Sequence, residues 1–157
     1  MSTADGTPQR DPARLWESRV GTDLSFLLAR ANALSLAAAH DALAPHGLKV
    51  RQFSVLAIVA DGLRPTQREL AEFLRLDPSQ VVTLVDQLQS RDLLRREPDP
   101  TDRRNNVVVA TPAGISLHDA ARADVTLAEQ ALFGVVDPRQ LRDLRMTLHS
   151  LAGPATA

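Results

Sequence analysis

The chain has 157 residues, which suits one compact domain. Apolar residues make up 44% and aromatics only 3%, so the core is built of Leu, Val and Ala; the absence of cysteine excludes disulfides, thiolate metal sites and cysteine nucleophiles. The net charge of −1 excludes a uniformly basic nucleic-acid binder but leaves room for a local basic face, because charges more than about 8 Å apart are largely screened at physiological salt.

The first 14 residues, "MSTADGTPQRDPAR", are rich in Pro, Gly, Ser and Thr and read as a disordered tail. They lack the basic-then-apolar pattern of a secretion signal, and no apolar run approaches the ~20 residues of a membrane span, so no membrane partner and a cytoplasmic location are expected. A helix is predicted over residues 20–43, with Leu24, Leu27, Leu28, Ala31 and Leu34 on one face, ended by "PHG" at 45–47. A second runs over 50–60 and stops at Asp61-Gly62. Thr66 with Glu69 forms a capping box for a third, 66–74, and Asp77-Pro78 starts a fourth, 78–91.

Two strands follow, 93–97 and 106–111, joined by a loop over 98–105 because Pro98 and Pro100 cannot donate to a ladder. Val107 and Val109 should point to one side of the second strand and Val108 to the other. Thr111-Pro112 opens a helix to about residue 133, and Asp137-Pro138 opens a last one to about residue 151. Helices, then a β-hairpin, then two more helices is a winged helix-turn-helix layout: a mainly α fold with a small β-hairpin wing. The domain plan is a tail over 1–14, terminal helices over 15–48 and 112–152, and a DNA-binding lobe over 49–111, integrated into one domain.

The fourth helix carries the sharpest signal. Val81, Leu84, Val85 and Leu88 make one buried stripe. The opposite face holds Ser79, Thr83, Asp86 and Ser90, flanked by Gln80, Gln87 and Val82. Short hydroxyls, amides and a methyl are what base edges accept, and Gln bonds adenine through two atoms. Asp86 requires a cytosine amine, an arginine partner or a place along the groove wall. The alternative is a generic amphipathic helix.

The motif series is similar to that of the MarR family of winged-helix regulators: Gln67-x-Glu69-Leu70-Ala71, Leu84-Val85-Asp86-x-Leu88, Arg91-x-Leu93-Leu94-x-Arg96, Asp99-Pro100-x-Asp102-Arg103-Arg104 and Val108-x-x-Thr111-x-x-Gly114. The set covers about fifty residues. One departure is Asp92, where the family usually has glycine at the end of the recognition helix. The resemblance implies a homodimer whose terminal helices form a dimerisation bundle, acting on double-stranded DNA as a transcription regulator. It implies that Arg104 enters the minor groove, that Asp102 holds it, and that Arg103 lies near a phosphate. The implied DNA-binding set is Thr66, Gln67, Ser79, Gln80, Val82, Thr83, Gln87, Asp102, Arg103 and Arg104. A two-fold dimer implies a pseudo-palindromic operator.

Leu141, Leu144, Leu148 and Leu151 form an apolar seam that needs a partner, either the first helix of the same chain or a second copy. The family commonly binds small aromatic acids, which implies a repressor released by such a ligand, with Trp16, Arg30, His40 and Arg51 as candidate contacts. No cofactor, metal ligand set or catalytic residue is expected; a Gly-rich phosphate loop, a serine nucleophile elbow and a metal-spaced His pair are all missing. The alternatives are a zinc- or metal-responsive regulator of the same fold, using His40 and His118, and a winged-helix module that binds only protein.

Overall fold

The computed structural model describes residues 11–102 and 104–153. They fall into two compact units, the first ending at Ser35 and the second starting at Leu36.

The first unit opens with 3-10 turns at Pro12–Glu17 and Arg19–Thr22, followed by most of helix α1, Leu24–Leu43. Asp11 starts the first turn by accepting from the Ala13 N–H at 2.8 Å, so the turn reaches into the stretch expected as tail. Helix α1 begins four residues later than residue 20. Asp23 sets that start: its carboxylate accepts from the N–H groups of Ser25 at 2.9 Å and Phe26 at 3.5 Å, the work of a capping residue. The Trp16 and Phe26 rings meet edge to face at 6.3 Å, and the Arg30 guanidinium lies 5.0 Å over the Trp16 ring.

The second unit holds the end of α1, then α2 (Val50–Ala60), α3 (Gln67–Leu74), α4 (Pro78–Gln89), β1 (Leu94–Pro98), β2 (Asn106–Ala110), α5 (Pro112–Phe133) and α6 (Pro138–Ala152). Its core is aliphatic, as the composition requires: Leu43, Val55, Leu56, Leu70, Val81, Val85, Leu88, Leu94 and Val108 are fully buried. Each comes from an apolar stripe of its element, so α2, α3, α4, α5 and the hairpin share one interior.

Local chemistry sets the boundaries. Thr66 and Glu69 form a reciprocal capping box: the Thr66 hydroxyl accepts from the Glu69 N–H at 3.2 Å, and the Glu69 carboxylate accepts from the Thr66 N–H at 2.6 Å. Asp77, Thr111 and Asp137 each accept from a backbone N–H of the first turn of α4, α5 and α6, with Pro at the first helical position. Helix α4 ends at Gln89, two residues before the expected end, and Asp92 turns the chain in the left-handed region at φ 56°. Asp is one of the few side chains that tolerate that conformation, so the departure from glycine leaves the hairpin in place.

The hairpin pairs Leu94 with Ala110 through Pro98 with Asn106. Pro98 therefore lies in the last rung of the ladder and not in the loop. Its missing N–H is tolerated at a strand end, where the next bond is made by the Asp99 N–H to the Asn105 carbonyl at 2.9 Å. Val107, Val108 and Val109 are all buried, but only Val108 joins the main core. The Val108 N–H donates to the Pro65 carbonyl at 2.8 Å, and Thr66 bridges Val107, so the segment before α3 covers the free edge of β2.

Candidate nucleic-acid interface

Helices α3 and α4 with the turn between them, and the hairpin beside them, carry nine of the ten residues expected to bind DNA; Arg103 lies outside the described residues. Ser79, Gln80, Val82, Thr83 and Gln87 are exposed on α4, opposite the buried Val81, Val85 and Leu88. Thr66 and Gln67 stand half-buried at the start of α3. A cleft of about 510 Å³ between α3 and α4 is lined by Gln67, Ala71, Leu76, Pro78 and Val82, so the first turn of α3 and the outer side of α4 face a common concavity.

Five polar side chains of this surface, Thr66, Gln67, Ser79, Thr83 and Gln87, have internal partners. The Asp77 carboxylate accepts from the Ser79 hydroxyl at 2.5 Å, and the Thr83 hydroxyl donates back to the Ser79 carbonyl at 3.0 Å. Gln87 accepts at 2.9 Å from the amide of Gln52, a buried residue of α2. The Thr66 hydroxyl belongs to its capping box.

Arg96 of β1 ties the surface together. Its guanidinium donates to Asp86 at 2.7 Å, Gln89 at 2.7 Å and Gln67 at 2.9 Å, joining α3, α4 and the hairpin. This answers the question of Asp86, whose partner is an arginine. Sequence reasoning had Arg96 only as one letter of a motif, and its place on a strand flanked by charges gave no sign of a hub. Gln52 was missed altogether; the available signal was a lone amide three residues into an otherwise apolar helix. Arg91, beyond the end of α4, donates to the carbonyls of Gly47 at 2.7 Å and His46 at 3.3 Å, while His46 meets Asp124 of α5 at 2.7 Å.

At the wing tip, Asp102 Oδ1 lies 3.3 Å from Arg104 Nε and accepts from the Arg104 N–H at 3.1 Å, and the Asn105 amide donates to Asp102 Oδ2 at 3.2 Å. The Arg104 side chain is 92% exposed and projects from the loop with its base held. Asp99 accepts from the Thr101 hydroxyl and N–H, both at 2.7 Å, which rigidifies the turn. Those bonds hold the Asp99 carboxyl below its ordinary value, as the Arg64 and Arg95 guanidiniums hold that of Glu97. The Ser79 bonds lower Asp77, and the Thr66 bonds lower Glu69.

A family model described as MarR family matches residues 46–105, which span α4 and the wing tip. A transcriptional regulator of the MarR family from Rhodococcus sp. RHA1 has 39% sequence identity and a TM-score of 0.81, over 86% of this chain and 97% of that one. The chain belongs to the MarR family. A second MarR-like structure, CouR from Rhodococcus jostii RHA1 bound to p-coumaroyl-CoA, is 39% identical with a TM-score of 0.83, over 89% of this chain and 99% of that one. The HTH-type transcriptional repressor NicR of Pseudomonas putida is 35% identical over 69 residues, 44% of this chain and 44% of that protein, so the chain spans less than half the length of that curated relative.

The effector residues expected for a MarR regulator are divided between the units. Trp16 and Arg30 lie together in the first; His40 at the end of α1 and Arg51 at the start of α2 are both exposed in the second. His118, considered with His40 as a metal ligand, is buried on α5 and stacks on Phe53 at 5.7 Å, with Nδ1 3.1 Å from Asp119 and no partner for Nε2. Among the described residues no group of three or more His, Asp or Glu side chains is placed to hold a metal ion, and no helix is long and apolar enough to cross a membrane.

Proposed function

We propose that this MarR-family regulator binds DNA sequence-specifically as a homodimer, and acts as a repressor released by a small aromatic acid-like ligand. The observation that carries the reading is the exposed polar side of α4 together with a wing-tip Arg104 that is exposed and braced by Asp102, itself held by Asn105. Ser79, Gln80, Val82, Thr83 and Gln87, with Thr66 and Gln67 at the rim, suit the major groove. Arg104 suits a narrow minor groove, whose negative potential attracts a guanidinium, and the Asp102 contact limits the rotamers that binding must freeze.

Residues 49–111 form the DNA-binding lobe in this reading, and 15–48 with 112–152 form the dimerisation helices. The second copy is supported by apolar side chains left uncovered: Leu24 is 71% exposed, Leu34 51%, Leu144 40%, Leu148 40% and Leu151 73%. Repression is supported by the likeness to NicR, and an aromatic ligand by the likeness to CouR with p-coumaroyl-CoA. Trp16, Arg30, His40 and Arg51 are the candidate effector contacts. A ligand shifts DNA affinity only by its differential affinity for the two arrangements of the protein.

Selection of bound duplexes from a random pool tests the reading. The chain should enrich a pseudo-palindrome with half-sites about 10 bp apart or a multiple of that. Arg104→Ala should weaken binding to the enriched duplex by about 1–3 kcal/mol. A pool without enrichment, or an alanine variant that binds as the parent does at moderate salt, overturns it.

A further inference from the structure

The hydrogen bonds behind the α3–α4 surface fix more than position. We infer that they set the polarity of the readers: Gln67 and Gln87 face the DNA as donors, and Ser79 and Thr83 as acceptors. The inference rests on the proposed DNA-binding role of α4.

An amide side chain offers oxygen on one branch and NH2 on the other, and its orientation follows from partners whose chemistry is unambiguous. Arg96 has donors only. The Gln67 atom 2.9 Å from its guanidinium is therefore the oxygen, and the NH2 branch is the one left over. At Gln87 the logic runs through two steps. The backbone N–H of Lys49, which can only donate, bonds the oxygen of Gln52 at 2.9 Å. That leaves the Gln52 NH2 to donate to Gln87 at 2.9 Å, so Gln87 accepts through its oxygen and keeps its NH2 for outside use.

Turning either reader over sets NH2 against a donor and removes a bond made inside the protein, one of them charge-assisted. The hydroxyls are set in the same way. The Ser79 carbonyl and the Asp77 carboxylate only accept, so Thr83 and Ser79 donate inward and present lone pairs outward.

Bidentate contact with adenine needs a glutamine oxygen and NH2 together. An amide oxygen carries two lone pairs, so the internal bonds of Gln67 and Gln87 leave that contact open while turning the NH2 branch outward. Both select an acceptor, guanine O6 or N7, adenine N7, thymine O4 or a phosphate oxygen, and are set against cytosine, whose major-groove edge offers only the N4 amine. Ser79 and Thr83 select an amine, on cytosine N4 or adenine N6. Gln80, whose side chain has no hydrogen-bond partner among the described residues, is the glutamine with neither atom engaged.

The test compares pool selections by the intact chain and by Gln67→Ala, Gln87→Ala and Gln52→Met variants, with circular dichroism melts to establish folding. Each alanine variant should lose a preference against cytosine at one position per half-site, worth roughly tenfold or less in affinity. Gln52→Met, close in shape to the parent, frees Gln87 to turn its oxygen outward and should admit cytosine at the Gln87 position. A loss that is uniform across sequences at an unchanged salt slope supports the same donor polarity with phosphate as the acceptor, because a neutral amide releases no counterion. The inference is overturned if the preference lost in an alanine variant is for cytosine, if neither alanine variant changes affinity or base preference, or if Gln52→Met leaves the Gln87 position unaltered. Failure of the intact chain to enrich any sequence overturns the DNA-binding reading itself, and is told apart from these results by that pool alone.

Discussion

Among the described glycines, Gly114 has the least room for a side chain. A Cβ built on it would stand 1.8 Å from the Leu93 carbonyl oxygen and 2.8 Å from its carbon, so the start of α5 packs backbone to backbone against the root of the hairpin. The same junction is closed by the Thr111 hydroxyl donating to the Asp92 carbonyl at 2.6 Å and by the Thr111 N–H donating to Leu93 at 3.1 Å. Gly114→Ala has to displace that backbone, and overpacking of this kind costs about 1–3 kcal/mol or more. Denaturant unfolding should register the loss; a midpoint equal to the parent's would show that the junction yields freely. The requirement for glycine was visible in the sequence only as the last letter of a motif, because the obstructing carbonyl lies 21 positions away (114 − 93).

Elements were legible where their signals were local. Asp77, Thr111 and Asp137 stand directly before proline and accept from the first turn, so three helix starts followed from adjacent residues. Asp23 does the same without a proline, and the start of α1 was therefore placed too early. The bonds of Arg96 to Gln67, Gln52 to Gln87 and Arg91 to Gly47 span 29, 35 and 44 positions, and no spacing rule reaches so far. Face periodicity identified which side of α4 is exposed, yet it could not say which atoms of that side were already engaged.

The caps also make the lobe sensitive to acid. Glu69, Asp77, Glu97 and Asp99 all have carboxyls lowered by hydrogen bonds or by arginine. A lowered folded value means that the unfolded chain binds protons first. The contribution is present in full above the ordinary values of 4.5 for Glu and 3.8 for Asp, and is lost as pH falls through the folded values beneath them. Thermal unfolding should show these caps contributing fully above about pH 5 and progressively less below about pH 4. Replacing Asp77 and Asp99 by Asn should flatten the acid limb; an unchanged limb would remove these carboxylates from the cause.

For the whole molecule, the uncovered apolar residues of α1 and α6 are the surface that the proposed second copy would cover. Helix α6 has no fully buried residue, and Met146 is 64% exposed beside Leu144, Leu148 and Leu151. An isolated helix of this length is marginal in water, so its order depends on packing. Sedimentation should give about twice the chain mass, and Leu144→Arg with Leu148→Arg should lower it; a stable monomer in the parent would leave these side chains without the proposed cover.

The arginines of the lobe carry a consequence for how it samples a genome. Arg64 and Arg95 share Glu97, Arg68 takes Glu72, Arg96 takes Asp86 and Arg104 takes Asp102. In the proposed complex these five guanidiniums would each reach a duplex with an anion already beside it, so their docking would exchange one counter-charge for another and set free few condensed cations. Random sequence, which offers phosphates without the matching edges, then gains little hold. A regulator docking as proposed would loiter less between targets than one whose arginines arrive bare.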